Sequence, residues 1–426
     1  MTVPSEDWQT LQQTADRARQ GAQHERAVEL YARAAEQPGV PWEAFVSLVL
    51  ERAYSHRMLG QFVEADSVLD GLAAQAAGRG DDAAAVTALV EQTFLMRTLG
   101  DLKRGLQLGE KALKIARRIG QPGLTADALL AIAMMHVDLG DHQAGQGALN
   151  KALALIEPGN TLTNLRACFL EATLPVLLGD YQEAISACER GLQIARSAGD
   201  RDWEGIFLNG LAASTADLAR RRLLSEEALV ATVDAGDRPY QVTVLCNNSN
   251  TWMDVGLYVR VIESGRQALG MSRAMGFDTL SAYSLQFMGL GAFYSGDLEN
   301  AERYLSQGVA LTRKTGLSLL GFGLDAYLGA VRVLQGEHER AFEAFRAARA
   351  LAFEPNQGSM ATLLAYEAGA YALAGDREAA CQRASEALAK LETLSGSCVQ
   401  DLIIDEVCWW CYSALLSAER PAGPVE

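Results

Sequence analysis

The sequence contains few prolines and few basic residues, and it has no long apolar run. Ten prolines in 426 residues leave long stretches free to form helices, because proline interrupts a helix interior. No stretch of about 18 apolar residues occurs, so no membrane-spanning helix is predicted. Lysine and arginine number 37 against 53 aspartate and glutamate residues, a net charge of −16. This charge disfavours direct binding to nucleic acids and to membranes, because their phosphate groups are also negative.

Motifs of catalysis, metal binding and secretion are also missing. The chain has no glycine-rich phosphate loop, no G-x-S-x-G motif and no H-E-x-x-H motif. Its five histidines are scattered and lack the spacing of metal ligands. The amino terminus has no basic region before an apolar run, and the seven cysteines are scattered. We therefore expect a cytoplasmic protein that is not an enzyme and that uses no cofactor or metal.

Glycine recurs at a nearly constant interval along the chain. Most intervals are 39 or 40 residues, and one of 77 covers two periods in which Ala219 takes the place of a glycine. A period kept from end to end indicates one structural unit copied about ten times. The glycines of this series are Gly21, Gly60, Gly100, Gly140, Gly179, Gly256, Gly296, Gly336 and Gly375.

Residues 83–120 show what one unit contains. Apolar residues recur at helical spacing over 83–98, a Leu-Gly-Asp turn interrupts them at Gly100, and a second helical run ends at Gly120. Glycine tolerates the left-handed conformation that ends many helices. Asp101 can accept hydrogen bonds from the N–H groups that begin the next helix. Each unit is therefore predicted to be two antiparallel helices joined by a tight turn.

Small residues occur at two fixed places in the second helix, and this pattern resembles the tetratricopeptide (TPR) repeat. A bulky residue such as Phe345 lies between them, and a small residue such as Gly329 occurs in the first helix, over about residues 6–418. The resemblance implies an all-α, right-handed superhelical solenoid of about ten antiparallel helix-turn-helix repeats. HEAT or armadillo repeats share the period of about 40 but do not explain the Leu-Gly-Asp turn. Long units of this kind resemble the repeat arrays of bacterial multidomain signalling and transcription regulators.

The sixth unit, over 201–236, is irregular. Its turn is expected at Leu218-Ala219-Arg220, and the distance to the next glycine is short. A shortened unit changes the local twist, so this unit is a candidate hinge between repeats 1–5 (1–200) and repeats 7–10 (237–398). The alternative is a neutral deletion that a loop absorbs.

Residues 399–426 are predicted to form an unpaired or capping helix. Trp409 and Trp410 have little following sequence to cover them. Either this helix is itself the cap, or the natural chain continues, or a second copy pairs with it to form a homodimer. Cys408 and Cys411 are expected to lie on a buried helix face rather than to form a redox site.

In TPR arrays the first helix of each unit lines a concave groove, so the resemblance identifies candidate partner-binding positions. A carboxylate–aromatic–guanidinium triple occurs twice, 40 residues apart, and spacings of three place each triple on one helix face. The alternative is that the Glu and Arg side chains pair with each other along the groove wall. These candidates are Glu51, Tyr54, Arg57, Glu91, Phe94 and Arg97.

A second group of candidates follows the irregular unit. An asparagine amide offers both a donor and an acceptor to a peptide main chain, and aromatic residues contribute much of the affinity at interfaces. The alternative is ordinary core packing with incidental polarity. These candidates are Asn247, Asn250, Asp254, Tyr283, Phe287, Tyr294, Tyr327 and Tyr366.

These observations favour a non-enzymatic scaffold that binds a protein or peptide in its groove. We expect it to be the sensory or interaction module of a bacterial regulatory protein. The alternative is a repeat domain that senses a small molecule and controls an attached output domain.

Overall fold

The computed structural model describes residues 7–156, 159–178, 180–315, 318–351, 357–393 and 401–419. Within these ranges the chain forms twenty-one α-helices and no β-strand, which confirms the all-α prediction. The helices are α1 (Trp8–Gln20), α2 (His24–Ala35), α3 (Trp42–Met58), α4 (Phe62–Arg79), α5 (Asp82–Leu99), α6 (Leu102–Ile119), α7 (Pro122–Asp138), α8 (His142–Leu153), α9 (Thr161–Leu178), α10 (Tyr181–Ala198), α11 (Arg201–Ser214), α12 (Leu218–Ala235), α13 (Arg238–Asp254), α14 (Tyr258–Ala274), α15 (Asp278–Tyr294), α16 (Leu298–Thr315), α17 (Ser318–Leu334), α18 (His338–Leu351), α19 (Gln357–Leu373), α20 (Arg377–Thr393) and α21 (Asp401–Glu419).

Consecutive helices pack against each other in pairs such as α5 with α6 and α15 with α16. Several odd-numbered helices also contact the next odd-numbered helix. For example, α5 contacts α7, and α17 contacts α19. Neighbouring odd-numbered helices therefore form a row within each compact part of the chain, and the predicted groove positions lie on odd-numbered helices. Each helix in the described ranges is too short or too polar to span a lipid bilayer.

The predicted Gly-Asp turn is present between the paired helices. Gly100 has φ +77° and ends α5, and Oδ1 of Asp101 accepts a hydrogen bond of 3.1 Å from the backbone N–H of Arg104. The turn glycines Gly60, Gly140, Gly256, Gly296, Gly336 and Gly375 also have positive φ, whereas Gly179 lies outside the described residues. Further left-handed glycines end even-numbered helices, among them Gly80, Gly120 and Gly199. Helix length is thus limited at both ends of the repeat.

The first and sixth units depart from this turn. In the first unit Gly21 has φ −89° and the next residue, Ala22, takes the left-handed conformation at +56°. In the sixth unit α11 ends at Ser214, and Asp217 begins α12 by accepting from the N–H groups of Ala219 and Arg220. The prediction of a turn at 218–220 is therefore wrong, because an aspartate cap sets the start of α12 earlier in the chain.

The small and bulky residues of the repeat pattern interlock as the resemblance implies. A Cβ on Gly329 would lie 2.2 Å from the Phe345 ring, and a Cβ on Gly289 would lie 2.6 Å from the Leu305 side chain. Real atoms do not approach so closely, so only glycine leaves room for these buried side chains. Close approach of the two helices therefore explains the small residues.

The contacts divide the chain into two compact units. Unit 1 ends at Val244 and unit 2 begins at Leu245. The irregular segment 201–236 lies inside unit 1, and its role as a hinge stays a prediction. Unit 1 contains separate buried clusters around Leu130 and Phe207, and unit 2 contains a large cluster around Tyr366.

Candidate functional site

Arg57, from the first predicted triple, is half-buried and forms ion pairs with two buried aspartates of unit 1. Its Nη2 donates to Oδ2 of Asp202 at 2.7 Å, and its Nη1 donates to Oδ2 of Asp237 at 3.3 Å. Asp202 is 4% exposed and Asp237 is 1% exposed. Its guanidinium also lies over the Tyr54 ring, with Cζ 5.0 Å from the centroid. One guanidinium therefore lies between two carboxyl groups that have almost no access to water.

The same region of unit 1 joins its first helices to α11, α12 and the start of α13. Nε2 of His24 donates to the carbonyl oxygen of Ala235 at 2.8 Å. Arg238 donates to Glu25 at 2.5 Å. A Cβ on Gly236 would lie 2.8 Å from the His24 ring, so these two segments of the chain approach each other closely. We call His24, Glu25, Arg57, Asp202, Asp237 and Arg238 the closure contact, because it joins residues about 150 to 210 positions apart.

The closure contact raises the pKa of Asp237. Burial raises this pKa to about 8, the charge of Asp202 adds to the effect, and Arg57 opposes it. Burial also raises the pKa of Asp200, which caps α11 nearby, and of Tyr54. The folded protein therefore holds a proton at Asp237 over a range of pH in which the unfolded chain does not.

The contribution of Asp237 to stability should consequently fall as the pH rises from about 4 to about 8. Because the folded-state pKa of Asp237 exceeds the ordinary 3.8, its contribution is complete below about pH 4 and is lost as the pH rises through about 8. The slope from one such group approaches about 1.4 kcal/mol per pH unit. The variant Asp237→Asn keeps a capping side chain for the Tyr240 N–H and is expected to flatten the profile.

The measurement is the free energy of urea unfolding at several pH values for the wild type and the variant. Asp101→Asn, which changes another helix-capping aspartate, controls for the loss of one charge. Parallel profiles for the wild type and Asp237→Asn would contradict proton binding at this carboxyl.

Glu51, the remaining member of the first triple, forms an ion pair with Arg19 of the preceding unit. Its Oε2 lies 3.1 Å from Nε of Arg19. Burial raises the pKa of Glu51, and the positive charge of Arg19 opposes this. The alternative that the Glu and Arg of a triple pair with each other is therefore not what the structure has here, because Glu51 pairs with Arg19 and Arg57 pairs with Asp202 and Asp237.

The second triple is also engaged by other helices of unit 1. Nη2 of Arg166, on α9, donates to Oε1 of Glu91 at 2.5 Å, and its Cζ lies 4.5 Å from the centroid of the Phe94 ring. Arg97 donates from Nε to Oδ2 of Asp138, on α7, at 2.8 Å. The two triples are thus parts of a polar network that connects odd-numbered helices.

In unit 2, three of the predicted aromatic residues surround a carboxyl group of α21. The Tyr294 hydroxyl donates to Oε2 of Glu406 at 2.8 Å, and the Tyr366 hydroxyl donates to Oε1 at 2.7 Å. The ring of Tyr327 lies 5.7 Å from that of Tyr366. Burial raises the pKa of Glu406. These tyrosines pack inside unit 2, whereas their role in partner binding stays a prediction.

The predicted asparagine face lies on α13, next to α15. Sγ of Cys246 on α13 is 3.7 Å from Oγ of Ser284 on α15, so the two helices are in contact at this point. Asn247 and Asn250 are half-buried, and Phe287 on α15 is buried. Asp254 and Tyr283 are exposed. We call Asn247, Asn250, Asp254 and Tyr283 the amide face, because these candidates keep accessible surface in unit 2.

Four residues with polar roles in these networks were not predicted from the sequence: Arg166, Asp202, Asp237 and Glu406. Asp237 directly follows the glycine that ends α12 and caps α13, so its sequence context indicates only a capping residue. Glu406 had a usable signal, because it lies one period of 40 residues after Tyr366. Continuing the repeat into α21 would have identified it.

Two expectations for α21 need correction. Trp410 is not uncovered: it is 4% exposed, and its ring occupies the space where a Cβ on Gly369 would lie. Only Trp409 is exposed. Of the two cysteines expected on a buried face, Cys411 is buried and Cys408 is exposed, and both are free thiols.

The part of the chain that the structure describes offers little else for ligand chemistry. It contains no group of three His, Cys, Asp or Glu side chains arranged to hold a metal ion. A shallow open depression lies beside α10, where Thr161, Arg190 and Gln193 line it. None of the predicted site residues lines this depression.

Comparison with known proteins gives matches at the level of structure. No protein-family model and no curated protein matches the sequence. A Rap protein complexed with Competence and Sporulation Factor is similar, with a TM-score of 0.58, 13% identity, and coverage of 78% of this chain and 97% of that one. NprR in complex with its cognate peptide NprX is also similar, with a TM-score of 0.51 and 13% identity. The match covers 78% of this chain and 98% of that one.

A third similar structure is a STAND signal-transduction ATPase with a tetratricopeptide repeat sensor, from Pyrococcus horikoshii. Its TM-score is 0.54 at 14% identity, and the match covers 94% of this chain and 56% of that one. At such identities the likeness shows the fold alone. The chain therefore has the helical-repeat architecture of tetratricopeptide-type proteins.

Proposed function

We propose that this protein is a non-enzymatic regulatory module that binds a peptide on the face formed by its odd-numbered helices. NprR, which has the same fold, is described in complex with its cognate peptide, and the similar STAND protein uses its repeats as a sensor. We also propose that the protein acts in bacterial regulation and that it resides in the reducing cytoplasm. The six free cysteines of the described chain fit such a compartment.

The observation that carries the proposal is the amide face of unit 2. Asn247 and Asn250 are three residues apart on α13, so they lie on one face of the helix. Each primary amide can donate to a peptide carbonyl and accept from a peptide N–H. Tyr283 lies on the adjacent α15 and offers an exposed aromatic ring. We assign the peptide main chain to the asparagines, because both amides keep accessible surface on one face of α13.

The test is binding of a positional library of fluorescently labelled heptapeptides, measured by anisotropy. The double variant Asn247→Ala, Asn250→Ala should weaken binding of the best peptide by about tenfold or more, since two hydrogen-bonding groups are lost. Gln267→Ala removes an exposed amide on α14 and should leave affinity unchanged. No peptide bound above background, or equal affinity in both variants, would overturn the proposal.

A further inference from the structure

Helix α21 has two apolar faces, and the described residues of unit 2 cover one of them. Val407, Trp410, Cys411 and Ala414 are buried against α19 and α20. Their spacing of three and four residues is that of a single helix face. This side of α21 packs as the next odd-numbered helix of the row.

The opposite side carries large apolar side chains in water. Trp409 is 57% exposed and Tyr412 is 65% exposed. Ile404, Cys408, Trp409, Tyr412 and Leu416 recur at helical spacing, and we call them the outer stripe. For comparison, residues 361–370 of α19 are all buried, because α19 is packed by α20 and by α21. The outer stripe is thus the kind of surface that helices cover elsewhere in unit 2.

The charge of α21 indicates which kind of helix would fit. Its sequence contains the acidic residues Asp401, Asp405 and Glu419 besides Glu406, which is bonded inside unit 2, and it contains no lysine or arginine. Asp405 is exposed one turn before Trp409. A second copy of α21 would bring like charges together, which disfavours self-pairing, whereas lysine or arginine beside an apolar stripe would complement the carboxylates.

We propose that the outer stripe binds an amphipathic helix of a partner protein, in which basic residues flank the apolar face. Trp409 and Tyr412 supply the central contact, since exposed aromatic residues give large contact areas at low conformational cost. The basic flanks of the partner pair with Asp405 and orient the helix. This surface is separate from the amide face and does not depend on the groove function.

The probes are two labelled helical peptides of about 20 residues with the same leucine stripe, flanked in one by lysine and in the other by glutamate. The lysine peptide should bind at least about tenfold more tightly at low salt, and this preference should shrink as salt screens the charges. The variant Trp409→Ser, Tyr412→Ser should weaken its binding by about tenfold or more. Val63→Ser, Val259→Ser removes exposed apolar side chains of α4 and α14 and should leave binding unchanged.

Equal affinity of the two peptides, or binding that survives Trp409→Ser, Tyr412→Ser, would overturn the proposal. So would a concentration-dependent dimer in sedimentation velocity that this variant abolishes, because a second copy would then occupy the stripe. Circular dichroism and thermal melts confirm that the variants fold. The variant Asn247→Ala, Asn250→Ala should bind the lysine peptide normally, which separates this test from that of the groove.

Discussion

Replacing Arg57 with methionine is expected to lower the free energy of unfolding of unit 1 by about 3–5 kcal/mol. The substitution removes the cation that contacts Asp202 and Asp237, and both carboxylates are buried. A buried charge without a partner costs far more than the net gain from the ion pair. Urea unfolding at neutral pH, followed by circular dichroism, measures the change.

Arg118→Met is the matched control for this prediction. Nη2 of Arg118 lies 2.7 Å from Oδ2 of Asp82, as close as Arg57 lies to Asp202, but this pair is at the surface. Its loss should cost under about 1 kcal/mol. Adding Asp237→Asn to Arg57→Met should change the stability little further at neutral pH, because the raised pKa of about 8 means that Asp237 is already protonated there. Equal costs for the two arginines would show that burial of the closure contact does not matter.

Replacing Trp410 with alanine is expected to destabilise unit 2 by about 3–5 kcal/mol. The indole fills the space above Gly369, and its centroid lies 5.4 Å from that of the Tyr366 ring. Alanine leaves a cavity that glycine at 369 cannot fill. Weaker packing of α21 against α19 would also weaken the hydrogen bonds from Tyr294 and Tyr366 to Glu406.

Trp409→Ala is the control next to it in the sequence. Trp409 is exposed, so its removal should cost less than about 1 kcal/mol. Both variants are compared by urea unfolding and by thermal melting. Similar losses of unfolding free energy from the two substitutions would contradict the burial of Trp410 against α19.

The sequence predicted the repeating helix pair and most of its turns. Gly100 and Asp101 act through local physics, since a left-handed residue ends one helix and an aspartate caps the next. The turn of the sixth unit was misplaced because Asp217, not a glycine, starts α12. A pattern based on glycine cannot find a turn in which a side-chain cap replaces it.

The candidate site was predicted less completely than the fold. The register placed Glu51, Arg57 and Glu91 on odd-numbered helices, where the structure has them. Their partners were not predictable from spacing, because Arg57 meets Asp237 across 180 positions of sequence. Likewise, Tyr366 was predicted to contact a ligand. In the structure its hydroxyl donates a hydrogen bond to Glu406.

The chain's own residues determined the helical repeat, because period, capping and small-residue packing act within one unit or between neighbours. The tertiary structure decided which polar and aromatic groups are used internally and which face solvent. Contacts such as Arg57 with Asp202, and the burial of Trp410 beside an exposed Trp409, depend on how distant helices meet. Local spacing does not encode that geometry, since it arises from the summed packing of many repeats.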